Sequence, residues 1–208
     1  MRLLKNIPRD EGFTLTELMI SLTLMGFVLT AAYLLLNTVS LDSNLVQARS
    51  QASEENRHAM EVASTEIRQA VEAVNSYGVF DSSTLSATNC TMYTDIDRDG
   101  APEKVSYYVQ SGKLMKAMYQ NGIMFPPYNF STTVAAGYPK TVCSHVTNAD
   151  VFTYVDGQSP PQVVPASRSQ DISAVTVHIV DTATVSGAVG TSDITTWVKI
   201  RSVHNTVQ

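Results

Sequence analysis

With 208 residues, the chain has room for one membrane-anchoring helix and one modest folded domain, since single domains run to about 100–150 residues, and two large domains are excluded. Hydrophobic residues make up 44% and charged residues 16%, which excludes a disordered polyelectrolyte and provides the apolar side chains for a core. The formal net charge is -5 and no run of Lys and Arg is interleaved with aromatics, so direct nucleic-acid binding is not expected.

The chain opens on a polar leader, residues 1–12, with Arg2, Lys5 and Arg9. Residues 13–36 are mostly apolar and long enough to cross a bilayer as a helix, with one acid among them, Glu17. No basic cluster follows this run, so the charge asymmetry keeps the leader cytoplasmic and exports the remainder. An ordinary secretory signal has a short apolar stretch with small residues after it. Here the order is reversed, because the small residue Gly12 precedes the run.

The stretch Gly12-Phe13-Thr14-Leu15-Thr16-Glu17-Leu18 resembles the class III signal of type IV prepilins and type II secretion pseudopilins. That resemblance implies cleavage after Gly12 by a prepilin peptidase and N-methylation of the new first residue, Phe13. It also implies that Glu17, fifth in the mature chain, pairs with the free amine of a neighbouring subunit and sets the axial register of a filament. Asp10 and Glu11 depart from the basic or neutral residues that many relatives carry there. In physical terms, a carboxylate in the bilayer interior costs about 2.5–3.5 kcal/mol, so it needs a partner or a task. Thr14-x-x-Glu17 also has the spacing of a capping box, a further duty for the same side chain.

No proline occurs from Thr14 to Tyr77, and Leu41, Leu45, Ala48, Ala52, Ala59, Ala63, Ile67, Ala70, Val71 and Val74 recur at three- and four-residue steps. One helix is therefore expected to Tyr77, amphipathic over residues 37–77 and extending roughly 90 Å. Its apolar stripe needs a folded domain to cover it. Gly26 weakens the helix by about 1 kcal/mol relative to Ala, and reads either as a point of bending or as a close-packing position.

Residues 78–208 form the expected β-rich head. A loop rich in Ser, Thr and Asn spans 81–89, and strands at 105–110 and 113–119 flank Ser111-Gly112, the chemistry of a tight hairpin turn. Further strands are expected at 151–155, 173–180 and 195–203, with an exposed loop over 181–193 and another at Pro160-Pro161 and Pro165. The predicted fold is α+β and pilin-like, an antiparallel sheet packed on the long helix. Three stretches resemble the J-type minor pseudopilins of type II secretion and their W-type relatives in type IV pili: residues 95–114, Phe152-Thr153-Tyr154-Val155-Asp156-Gly157, and Trp197-Val198-Lys199-Ile200-Arg201. A mature chain longer than many major pilins favours a minor, tip-located subunit.

Candidate chemistry is sparse. Asp95, Asp97 and Asp99 alternate ahead of Gly100 as in the opening of a calcium loop, with Glu103 at the ninth place, but Ser106 stands where a complete EF-hand has a bidentate Glu. The alternative is a solvated acidic turn. Cys90 and Cys143 are expected to form a long-range disulfide after export, the alternative being two unpaired buried thiols. His58, His145, His178 and His204 are scattered without a hydrolase motif, and no enzyme is expected. Met115, Met118 and Met124, with Tyr107, Tyr108, Tyr119 and Tyr128, read as packing rather than an adhesive patch, and Phe125-Pro126-Pro127-Tyr128 as a turn or extended loop.

The combined reading is a structural subunit that initiates a type II secretion pseudopilus or type IV pilus. Its expected partners are other pilins, the peptidase, an assembly ATPase and an inner-membrane platform. The alternative is a tip module that recognises a surface, cargo or DNA.

Overall fold

The computed structural model describes residues 12–73, 79–123 and 128–201. Two compact units divide the chain, Met1–Asn44 and Leu45–Gln208. Helix α1 (Leu15–Arg68) is followed by strands β1 (Asn89–Thr94), β2 (Glu103–Gln110), β3 (Lys113–Tyr119), β4 (Lys140–Cys143), β5 (Phe152–Val155), β6 (Ala174–Val185) and β7 (Ala188–Lys199), with a 3-10 turn at Ala166–Asp171. The architecture is α+β, one long N-terminal helix with antiparallel sheets. The strands form two sheets, ordered β1-β2-β3-β4 and β5-β6-β7, in place of the single sheet expected.

Within the second unit, the helix buries Ala48, Ala52, Asn56, Ala59, Met60, Ala63 and Ile67, a three- and four-residue rhythm that places one stripe against the core. Small residues on that stripe let strands approach closely. A Cβ built on Gly190 of β7 would lie 2.2 Å from the Arg49 amide nitrogen and 2.4 Å from the Ala48 carbonyl carbon, so only glycine fits there. Two turns further along α1, the buried Asn56 amide donates to the carbonyls of Ile179 on β6, at 2.9 Å, and Ser192 on β7, at 3.2 Å.

The first sheet is fastened to the last turn of α1. Glu66 accepts a hydrogen bond from the Tyr107 hydroxyl at 2.5 Å and pairs with Lys116, and these two residues are themselves cross-strand partners on β2 and β3. The buried ammonium and phenol thereby share one carboxylate, which removes the cost of leaving either unpartnered. Tyr107 is fully buried, and burial beside Glu66 pushes its hydroxyl pKa well above the usual range. Tyr154 of β5 donates to the Asn89 carbonyl at 2.7 Å and meets Phe80 edge to face, which links the second sheet to the start of β1. One apolar cluster joins α1, both sheets and the segment through Phe80.

Several expectations are corrected. The helix ends at Arg68 rather than Tyr77: Ala70 is still buried, but Val71 donates its amide to the Tyr93 carbonyl of β1 at 2.8 Å, so an apolar rhythm continues in non-helical backbone. Val74 and Tyr77 lie outside the described residues. The expected loop at 181–193 is strand, because β6 and β7 pair without interruption from Ala174 opposite Lys199 to Val185 opposite Ala188. Their turn is Ser186-Gly187, both at positive φ, 48° and 85°. The hairpin expected at Ser111-Gly112 forms as read, with φ of 52° and 71°.

The expected Cys90–Cys143 disulfide is not formed; both thiols are free and buried. Cys90 lies on β1 and Cys143 on β4, the two outer strands of one sheet, with β2 and β3 between them. Three inter-strand spacings amount to roughly 14 Å, against the Cα separation of about 4.4–6.8 Å that a disulfide spans. Burial pushes each thiol up to about 12, away from reactive thiolate.

Candidate functional site

The first unit presents its chemistry at the start of α1. Thr14 and Glu17 form the capping box their spacing suggests: the Glu17 amide donates to Thr14 Oγ1 at 3.3 Å, and Glu17 Oε2 accepts from the Thr14 amide at 3.3 Å and its hydroxyl at 3.1 Å. Two orphan donors of the helix start are thus satisfied, and an acid stands at the positive end of the helix dipole. Both bonds to the carboxylate use Oε2 and leave Oε1 outside the box. Gly12 and Phe13 precede the helix in non-helical backbone, and Phe13 is 79% exposed. Residues 1–11 of the expected leader lie outside the described residues.

From Leu15 to Leu41 the large apolar side chains are exposed along α1, among them Ile20, Phe27, Leu34 and Val39. The helix is long and apolar enough to cross a membrane, and the qualifying stretch has no part buried. Its hydroxyls are folded back into the backbone: Thr23, Thr30 and Thr38 donate to the carbonyls of Ile20, Gly26 and Leu34 at 2.8, 2.8 and 2.9 Å. Such bonds let threonine sit in an apolar surrounding without an unpaired hydroxyl. The helix runs unbroken through Gly26.

In the second unit, Asp95, Asp97 and Asp99 come together, one carboxylate oxygen of each lying within 4.8 Å of the others. The turn is organised by its own amides. Gly100 donates to Asp95 at 3.1 Å, Asp99 to Asp97 at 3.3 Å and Ala101 to Asp99 at 2.7 Å, with Gly100 at φ 91°. Glu103 accepts from the Ile96 amide at 2.9 Å; burial raises its pKa and the three aspartates raise it further, the Ile96 bond offsetting part of this. Hard oxygen donors of this kind suit calcium, and each aspartate keeps one oxygen outside these bonds. Ser106, at the twelfth place, is a strand residue whose hydroxyl bonds Thr91 at 2.9 Å, so the turn does not close as an EF-hand.

His178 points outward from β6 to Asp193 of β7 at 3.0 Å, while His58 and His145 are exposed. Met118 packs against the core and Tyr107 lies within it, as expected of packing residues. Residues 124–127, which include Met124 and the Phe125-Pro126-Pro127 stretch, and His204 lie outside the described residues. One further convergence has no counterpart in the motifs read above. Glu55 of α1, Cys143 of β4 and Asp181 of β6 meet, and no motif spacing links positions so far apart in the chain.

The family description Prokaryotic N-terminal methylation motif matches residues 7–33. This match supports a type IV pilin-like protein, a pilin or pseudopilin, and the apolar N-terminal helix is consistent with a membrane-anchored one. No curated protein and no solved structure matches the chain.

Proposed function

We propose that this chain is a prepilin cut after Gly12, methylated at Phe13 and incorporated as a minor subunit at or near the tip of a type II secretion pseudopilus or type IV pilus, where it initiates assembly. The observation that carries this reading is the methylation motif at residues 7–33 coinciding with the stretch of α1 from Leu15 to Leu41 whose large apolar side chains are uncovered. A helix apolar all round is suited first to lipid and then to a core of like helices, so one surface serves both the waiting and the assembled state. Glu17 fits both states as well. Its Oε2 caps its own helix, and Oε1 is left to accept the amine of a neighbouring subunit's first residue. Prepilin peptidase, other pilins, an assembly ATPase and its inner-membrane platform are the partners in this reading, and the work is structural rather than enzymatic.

Replacing Glu17 with Leu tests the assembly role separately from cleavage. Expressed in its host, the Glu17→Leu chain is expected to be cut normally but to remain in the membrane fraction, while the wild-type chain is recovered in sheared filaments. Equal recovery of both in filaments would remove Glu17 from the mechanism.

For the acidic turn, the proposal is calcium held by Asp95, Asp97 and Asp99 with Glu103 beside them. Calorimetric titration of the full chain in detergent should show one calcium lost on Asp97→Asn. Absence of binding to the wild type leaves a solvated, self-bonded turn as its description.

A further inference from the structure

On β6 the inward positions are Val175, Val177, Ile179, Asp181 and Ala183, so Asp181 places a carboxylate on an otherwise apolar face. It is fully buried, and neither of its oxygens has a hydrogen-bond partner of good geometry, the Cys143 thiol and the His145 amide being the donors beside it. Buried carboxylates without partners are costly, and native structures explain them by protonation or by a cation. Among the described residues, no Lys or Arg forms an ion pair with Asp181, Glu55 or any group beside them.

What faces Asp181 is a thiol and a second carboxylate. Oxygens of Asp181 and Glu55 and the sulfur of Cys143 all lie within 4.8 Å of one another. They arrive from three different elements: Glu55 from α1, Cys143 from the end of β4 and Asp181 from β6. Glu55 is oriented by the residue after Cys143, since the Ser144 amide donates to its Oε2 at 3.2 Å. This is the support that metal-binding side chains ordinarily receive from neighbouring groups. His145 beside this cluster is exposed.

We propose that Glu55, Cys143 and Asp181 bind a zinc-type divalent cation that ties α1 to both sheets. The sulfur disfavours calcium and magnesium, which take oxygen, and a mixed set of one thiolate and two carboxylates suits zinc. Three protein donors leave the fourth tetrahedral position to water. On binding, the Cys143 S–H bond breaks, the sulfur pair forms the bond to the metal, and the proton leaves to solvent. Two carboxylates and a thiolate then share two positive charges, and Asp181 gains the partner it lacks. The site depends on Cys143 being a free thiol, and so on the absence of a bond to Cys90.

Cobalt is the probe, used on the full chain in detergent after chelation and titrated as its chloride. Wild type is expected to take one ion per chain with a sulfur-to-cobalt charge-transfer band and the intense visible absorption of a tetrahedral site, both erased by one equivalent of zinc. Cys143→Ser should remove the charge-transfer band, and Asp181→Asn, close to isosteric, should weaken binding by more than the roughly 10–100-fold typical of supporting residues. Cys90→Ser and Asp97→Asn should leave the spectrum unchanged, the latter separating this site from the acidic turn. Zinc should also raise the thermal midpoint of the wild type and not that of Asp181→Asn, a readout that stands even if Cys143→Ser fails to fold. A wild type that shows no sulfur signature, a signature that survives Cys143→Ser, or thiol mapping that finds Cys143 bonded to Cys90 would each overturn the proposal.

Discussion

Single carboxylates have unlike fates in this chain, decided by what each one meets. Asp81 is half-buried at the turn before β1, where the Lys104 ammonium lies 2.5 Å away and Ser83 donates from both its amide and hydroxyl. Burial alone would raise its pKa, but these partners outweigh burial and hold it below the ordinary value of 3.8. A lowered folded pKa means a contribution present above the unfolded value and lost as pH falls through the folded one. Asp81→Asn is therefore expected to cost about 1 kcal/mol at neutral pH, and the gap from wild type should close as pH drops below 3.8. Denaturant unfolding of the full chain in detergent at several pH values checks this; a gap that persists unchanged in acid would place the loss in packing instead of charge. At this scale Glu17 was legible in the sequence, because a capping box is local and its spacing is enough to specify it. Asp181 was not. The groups it faces lie on a helix and on another strand, and nothing local marks a buried carboxylate.

Among the elements, tight turns and helix periodicity were readable, whereas strand ends and pairings were not. Ser111-Gly112 specified β2 and β3 because few residues tolerate positive φ at both turn positions. Ser186-Gly187 carries the same chemistry, but the Thr, Ser and Gly around it disguised two strands as a loop. Alternate burial of Ile179, Asp181 and Ala183 supplies the period of two that composition hid. Strands β1 and β4 were missed because Asn89-Cys90-Thr91 is partly polar and Lys140–Cys143 is short. Close approach of β7 to α1 yields a test with two signs. Gly190→Ala forces a methyl against helix backbone that cannot move aside, and is expected to cost about 1–3 kcal/mol or more. Gly26→Ala meets nothing within 4 Å and should favour helix by about 1 kcal/mol. Thermal unfolding by circular dichroism distinguishes them, and tolerance of Gly190→Ala would contradict the packing of β7 on Ala48 and Arg49.

For the molecule as a whole, the two units divide the labour. Residues up to Asn44 carry an uncovered apolar helix and its capped start, while those from Leu45 bury their apolar side chains in a core of helix and two sheets. The fold class was legible because one long apolar run and alternating β segments have no economical alternative. The disulfide was misread because pairing of two cysteines depends on how many strands separate them, a property of topology rather than spacing.

The central claim is that Gly12 marks a processing site, and intact mass with N-terminal sequencing of the membrane-extracted chain tests it most directly. Coexpression with a prepilin peptidase should remove residues 1–12 and leave a methylated Phe13, and Gly12→Ala should block the cut. A chain that stays whole beside active peptidase, or one cut after the apolar helix, would contradict the account.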